Sequence, residues 1–384
     1  MKAELIIILL IQFIHITINI ENDELEYYYK DYIKSMGYKL EEYEVITEDG
    51  YKLTLWHIVP ISEVNINKVV YMQPGFVCTS WVFFQNGKNS LPFMLIDEGY
   101  DVWIGNSRGT IFSAGHVSKD PSDWNGDYWD YSMDENVKYD LPSSIDYVKQ
   151  TTGATKVNYI GHSMGTTIFY MLYMNNPSYI EDSINKFVSL GSVPNIAYTT
   201  LLPIDILDKI YKILEMSRPI TKAISLNVGQ RNMLSYICKS KPKMCKNVFE
   251  TFSSLFPTNR INFETLYPFL YYYPGGTNSN TLLHWSQIHQ QKKLVYYNPD
   301  YDKTKDAKEY DTSILKKWKI KAFIQRSDCD SFSTYEDVTE LYEAIEDKSY
   351  ITLVDTISYG HTDDLAADSA IEDVYLPVIS FLEN

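Results

Sequence analysis

Residues 157–167 read VNYIGHSMGTT. Val157, Tyr159 and Ile160 favour a strand, and Gly161-His162-Ser163-Met164-Gly165 follows at once. The next residues, TTIFYMLYM, suit a helix. A strand, a sharp G-x-S-x-G turn and a helix together make a serine hydroxyl project from the edge of a sheet. Side chains two positions before and two after that serine would collide with the turn or the helix. Gly161 and Gly165 occupy those positions. Ser163 is therefore the candidate nucleophile.

A serine hydroxyl is a weak nucleophile without a base. Around such a turn the chain order is serine, then Asp or Glu, then histidine. Of the seven histidines, His15, His57 and His116 precede the serine. His162 adjoins it and is badly placed to fold back onto its hydroxyl. His284 and His289 lie in LLHWSQIHQ (282–290), which reads as a helix face. His361 follows a strand, YITLV (350–354), and a short loop, DTISYG (355–360), so it is the candidate base. The acid is expected after the preceding strand, where IKAFIQ (320–325) runs into RSDCDSFSTYED (326–337). That loop offers Asp328 and Asp330, and spacing does not separate them. Such an acid holds the imidazole in one tautomer and stabilises the imidazolium. An oxyanion hole needs the N–H after the nucleophile, that of Met164, and one from an earlier loop. KVVYMQ (68–73) leads into Pro74-Gly75-Phe76, which nominates the Phe76 N–H.

Apolar runs at 43–48, 51–58, 68–73, 101–104, 157–160, 186–190, 320–325 and 350–354 are strand candidates. Helical patterns cover 88–98, 134–150, 164–175, 334–346 and 369–382. Asp49-Gly50 marks a hairpin between the first two strands. Thereafter strand and helix alternate, which predicts an α/β fold with a mostly parallel sheet and helices on both faces. The alternation fails between about 194 and 315, a Tyr-, Phe- and Leu-rich, proline-punctuated stretch that reads as a mainly helical insertion. Over an active site such an insertion serves as a cap or lid; otherwise it is a subdomain that only stabilises.

The chain has 384 residues, 45% of them hydrophobic, and a formal net charge of −16. That balance is globular, and it argues against nucleic acid, whose phosphates call for basic stripes. Acidity favours solubility or tolerance of an acidic medium. Lys2 and the mostly apolar run Leu5–Ile18 have the form of a signal peptide ending near Ile20. No second apolar run is long enough to span a bilayer. Cys238 and Cys245 are close enough to pair in an oxidising compartment. No Cys or His spacing suggests a metal site. Asn176-Pro177-Ser178 is blocked as a glycosylation site by its proline.

At these residues the chain resembles the acid lipase family of α/β-hydrolases. The likeness runs through GYKLEEYEVITEDGY (37–51), YMQPGF (71–76), DVWIGNSRG (101–109), KYDLPSSIDYV (138–148) and VNYIGHSMGTT. It continues through LLHWSQ (282–287), SDCDSFSTYEDV (327–338) and SYGHTDDL (358–365). The resemblance implies an α/β-hydrolase core at 21–192 and 316–384 and a cap at 193–315. It puts the nucleophile on Ser163, the base on His361 and, anchored on Glu336-Asp337-Val338, the acid on Asp330. It puts the oxyanion amides on Phe76 and Met164. It further implies hydrolysis of lipid esters at a lipid–water interface, without metal or cofactor, in a secreted or lysosomal protein. Two positions depart from the family pattern: Pro74 stands where it usually has His, and Met164 where it commonly has Gln. Both donors are main-chain amides, so the hole survives the changes. Competing readings are an esterase of small soluble esters and an inactive lipid-binding protein on the same scaffold. GNSRG (105–109) reads as structural, with Arg108 paired to a carboxylate.

Overall fold

The computed structural model describes residues 28–60, 68–199, 221–226, 228–241 and 271–384. The expected leader at 1–20 and the expected Cys238–Cys245 pair lie outside what is described. All eight apolar runs form strands: β1 Tyr38–Ile46, β2 Tyr51–Pro60, β3 Lys68–Gln73, β4 Tyr100–Ile104, β5 Val157–His162, β6 Ile184–Leu190, β7 Lys321–Ser327 and β8 Ile351–Thr356. They form one sheet in the order β1-β2-β4-β3-β5-β6-β7-β8, with a two-residue strand, Gly115–His116, beside β2. β1 and β2 form the expected antiparallel hairpin, turning at Gly50 with φ 89°. β2 runs antiparallel to β4, and every later pair is parallel.

The inner strands are apolar on both faces because both faces are covered. Along β3, Val70 and Met72 join one core while Tyr71 joins the other. Ile160 and Tyr159 divide in the same way on β5, as do Val188 and Phe187 on β6. Among the described residues the longer helices are α1 Tyr28–Ser35, α2 Leu91–Asp97, α3 Leu141–Thr152, α4 Met164–Asn175, α5 Pro177–Ser183, α6 Val228–Ser240, α7 Ser279–Gln291, α8 Tyr335–Ala344 and α9 Leu376–Glu383. Residues of α3, α4, α5 and α8 pack on the Tyr71 face; those of α1, α2 and α9 pack on the Val70 face.

Two expected helices are not continuous. The segment predicted at 134–150 opens with a capped turn, Met133–Glu135, widens into a π turn at Asn136–Asp140, and only then becomes α3. The segment predicted at 369–382 holds a π turn at Ile371–Tyr375 before α9. Each π turn is followed by Leu-Pro, at 141–142 and 376–377. A proline has no N–H and its ring crowds the carbonyl four residues back. Widening the preceding turn relieves that clash.

Arg108 is fully buried and carries the charge pairing expected of it. Its Nη1 donates to Asp49 Oδ2 at 2.6 Å and its Nε to Asp140 Oδ1 at 2.9 Å. The guanidinium lies 3.9 Å from the centre of the Tyr51 ring. It thus ties the β1–β2 turn and the first π turn to the loop after β4.

Strand alternation is interrupted between β6 and β7, and the described part of that stretch includes α6, α7 and a short ladder of Ala223–Ile224 with Thr277–Asn278. Asn278 anchors α7. Its Oδ1 accepts the Thr281 N–H at 3.0 Å, and its Nδ2 donates to the Trp129 and Tyr131 carbonyls at 2.7 and 2.5 Å. The Gly275 N–H donates to Val77 O at 2.6 Å, so this stretch also touches the loop after β3.

Candidate active site

Ser163 sits between the end of β5 and the start of α4 with φ 53° and ψ −125°. A non-glycine residue seldom adopts positive φ, and here the surroundings enforce it. Its N–H donates to Leu190 O at 3.0 Å at the end of β6, and its carbonyl accepts Thr166 N–H at 2.8 Å in the first turn of α4. A Cβ on Gly161 would lie 2.9 Å from the Gly165 backbone, and one on Gly165 only 2.3 Å from Gln73 O. Neither position admits a side chain, which is the steric reason for the G-x-S-x-G spacing.

His361 lies on the loop after β8, and its Nε2 is 2.8 Å from Ser163 Oγ. Its Nδ1 is 2.7 Å from Asp330 Oδ2, on the loop after β7. Asp330 Oδ1 accepts two main-chain N–H groups, Phe332 at 2.8 Å and Ser333 at 3.1 Å. With the carboxylate held so, Nδ1 donates to Asp330 and Nε2 is left to accept from the serine. Asp328 goes elsewhere: its Oδ1 accepts the Ser358 N–H at 2.6 Å and braces the loop that carries the histidine. All three residues of the constellation are buried. Burial pushes His361 toward the neutral form, but the charge and hydrogen bond of Asp330 and the charge of Asp364 outweigh it, so its pKa is raised.

Gly75 brings the loop after β3 against the serine. A Cβ there would stand 2.6 Å from Ser163 Cβ and 3.1 Å from its Oγ. Phe76 follows, and the next residue, Val77, has φ 52°. Met164 opens α4, where first-turn N–H groups have no partner within the helix. Phe76 thus follows the glycine that meets Ser163, and Met164 follows Ser163 in the chain.

Aromatic rings wall the site. Phe332 lies over His361 with centroids 5.0 Å apart, and Trp285 of α7 meets Phe332 edge-on at 5.5 Å. Sequence reasoning gave neither ring a role. His284 and His289 bond main-chain carbonyls, Val295 O at 2.6 Å and Ile196 O at 3.0 Å, as helix-face residues do. Among the described residues no cluster of three or more His, Cys, Asp or Glu is arranged to hold a metal ion.

The comparisons with known proteins agree with this fold and setting. Two family models match: a partial alpha/beta-hydrolase lipase region over residues 29–87 and the alpha/beta hydrolase fold over 68–211. The mouse gastric triacylglycerol lipase is 30% identical over 383 residues, covering 94% of this chain and 93% of its own. Human lipase member J is 32% identical over 371 residues, covering 92% and 98%. The chain belongs to the acid lipase family of α/β-hydrolases. Among solved structures, an esterase from Exiguobacterium antarcticum superposes with a TM-score of 0.53 at 16% identity, covering 89% of this chain and 99% of that one, which supports the fold. As a member of the acid lipase family the protein is a serine carboxylic ester hydrolase. No helix among the described residues is long and apolar enough to cross a membrane.

Proposed function

We propose that this acid lipase relative hydrolyses the carboxylic esters of neutral lipids, triacylglycerol or cholesteryl ester, through an acyl-enzyme on Ser163. The relay from Ser163 Oγ to His361 Nε2 at 2.8 Å and from His361 Nδ1 to Asp330 Oδ2 at 2.7 Å carries the reading. His361 takes the serine proton as Oγ attacks the ester carbonyl. The carbonyl oxygen becomes an anion, stabilised by the amides of Phe76 and Met164. The imidazolium, held by Asp330, then gives its proton to the leaving alcohol. Water enters by the reverse route: His361 removes its proton, the hydroxide attacks the acyl carbon, and the fatty acid leaves as Ser163 regains its proton.

Substrate class rests on two supports. Relatives covering nearly the whole chain are named as triacylglycerol lipases. The wall beside the base is apolar, formed by Phe332 and Trp285. The stretch 193–315 acts as a cap that supplies an acyl groove and meets the lipid surface. The leader-like residues 1–20 support a secretory route, exported or lysosomal.

Three substrates test this: a soluble short-chain ester, emulsified long-chain triacylglycerol and emulsified cholesteryl ester, each at about pH 5 and about pH 8. Turnover of an emulsion is expected from the parent protein. Ser163→Ala and His361→Ala are each expected to lose close to the ~10⁶-fold seen on removing such a residue. Cleavage of the short ester alone would leave a general esterase. Activity of Ser163→Ala within about tenfold of the parent would remove the serine from the mechanism.

A further inference from the structure

Behind the base lies a second acid–imidazole pair. His162, the residue before the nucleophile, points its Nε2 at two oxygens: the His361 main-chain carbonyl at 3.2 Å and Asp364 Oδ1 at 3.4 Å. Both partners are acceptors, so Nε2 carries the proton. Among the described residues His162 Nδ1 has no hydrogen-bond partner, and the Asp364 carboxylate makes no hydrogen bond, its contact with His162 Nε2 being the 3.4 Å ion-pair approach. The two side chains are 1% exposed. Gly191, at φ 46°, closes the cluster: a Cβ there would lie 3.0 Å from His361 O and 3.1 Å from His162 Nε2.

Other buried carboxylates near Asp364 collect main-chain donors. Its neighbour Asp363 does so, accepting the Gly360 N–H at 2.7 Å, and Asp330 takes two. Asp364 takes none among the described residues, so its desolvation is left to be offset by the imidazoles facing it. An uncompensated charge in that position is costly for stability alone.

We propose that Asp364 is a positioning residue for the base: its carboxylate orients the His162 imidazole, whose Nε2–H fixes the His361 main chain, and its charge faces the imidazolium formed during turnover. The idea rests on the Ser163–His361 reading given above. Several charged or titratable groups lie around His361 among the described residues. Asp330 comes from the loop after β7, His162 from β5, and Asp364 from the turn after His361 itself. Asp363 holds the Gly360 amide just before the base. Tyr375 approaches Asp364 from the π turn before α9, with its hydroxyl donating to Leu365 O at 3.0 Å. Asp328 and Cys329 lie further out on the β7 loop, with Asp328 on the Ser358 amide.

The test is the pH profile of kcat/KM on a soluble p-nitrophenyl ester with purified parent and Asp364→Asn protein. Removing one negative charge favours neutral His361, so the acidic limb is expected to move to lower pH by at least about 0.5 unit. At the plateau kcat is expected to fall about tenfold with KM nearly unchanged, since the lost charge acts on the imidazolium. A limb unmoved within about 0.2 unit overturns the proposal, because a role in folding alone shifts amplitude and not the limb. Should Asp364→Asn fail to fold, His162 gives an independent reading. His162→Gln keeps an N–H donor and is expected to stay within about threefold of the parent, whereas His162→Leu is expected to lose about tenfold or more in kcat. Equal losses in those two variants also overturn it. Ser163→Ala runs alongside: if it keeps parental activity, the nucleophile reading fails, and an inactive Ser163→Ala with an unmoved Asp364→Asn limb sinks the Asp364 role alone.

Discussion

At the scale of single residues, sterics write some positions into the sequence and leave others open. Gly161 and Gly165 are legible because no other residue fits: the Gly165 position faces Gln73 O at 2.3 Å from an added Cβ. The choice between Asp328 and Asp330 is not legible from spacing. Both follow the same strand, and only the turn of the loop decides which one meets an imidazole and which one meets the Ser358 amide. His162 and Asp364 escaped for a related reason. A histidine beside a nucleophile reads as idle when only its reach to the hydroxyl is considered, and its contact is with the main chain of His361. The geometry gives a direct contrast between the two aspartates. Asp330→Asn is expected to lower kcat by about 10⁴, as the amide favours the wrong tautomer of the base. Asp328→Asn keeps an oxygen for the Ser358 N–H and is expected to stay within about tenfold. Steady-state rates on one soluble ester decide it, and a larger loss in Asp328→Asn would reverse the assignment.

At the scale of elements, apolar periodicity located the strands and most helices, with ends displaced by a few residues. It did not find α1. That helix turns Tyr29 and Ile33 inward, and Tyr29 stacks on Trp56 at 4.8 Å. Tyrosines are ambiguous in a pattern search because one end is apolar and the other polar. The two π turns were also invisible, since the proline that causes each lies after the widened turn and not within it. The attachment of α7 rests on Asn278, whose one side chain caps the helix and satisfies two carbonyls of the core. Asn278→Ala strands the Trp129 and Tyr131 carbonyls in a buried place and removes the cap. Losing an N-cap costs about 1 kcal/mol, and buried unpaired groups cost about 1–3 kcal/mol each. The expected result is a loss of about 3–7 kcal/mol in chemical denaturation, against a negligible effect for the exposed Asn384→Ala. Equal midpoints for Asn278→Ala and the parent would show that α7 is held by other contacts.

At the scale of the whole molecule, the acidity of the chain was plain in its composition, but its consequence for stability depends on which carboxylates are buried and how. Asp337 and Asp49 pull in opposite directions. Asp337 lies in the first turn of α8, where its oxygens accept the Thr334 N–H at 3.1 Å and the Ala197 N–H at 2.8 Å, joining the helix to the chain after β6. Burial outweighs those bonds and lifts its pKa from 3.8 to about 6. A carboxyl whose folded pKa is raised contributes stability that is fully present below its unfolded value and lost as pH rises through about 6. For Asp49, burial alone would raise the pKa, but the hydrogen bond and charge of Arg108 lower it below 3.8. Its contribution is present above 3.8 and lost as pH falls through the depressed value. The two windows overlap between roughly pH 4 and 6, where partial protonation also relieves the self-repulsion of a chain at −16. The molecule is therefore expected to melt highest in mild acid. Between pH 7 and pH 5, Asp337 should add about 1–2 kcal/mol, seen as a rise in Tm of about 2–6 °C. Asp337→Asn changes the absolute stability, because its amide nitrogen cannot accept the Thr334 N–H, yet the slope between those pH values is the telling quantity. That slope should flatten in Asp337→Asn and persist in Glu340→Gln, which alters a neighbouring exposed carboxylate on the same helix. Parallel Tm curves for the parent and Asp337→Asn would assign the acid stabilisation to general charge relief and not to this residue.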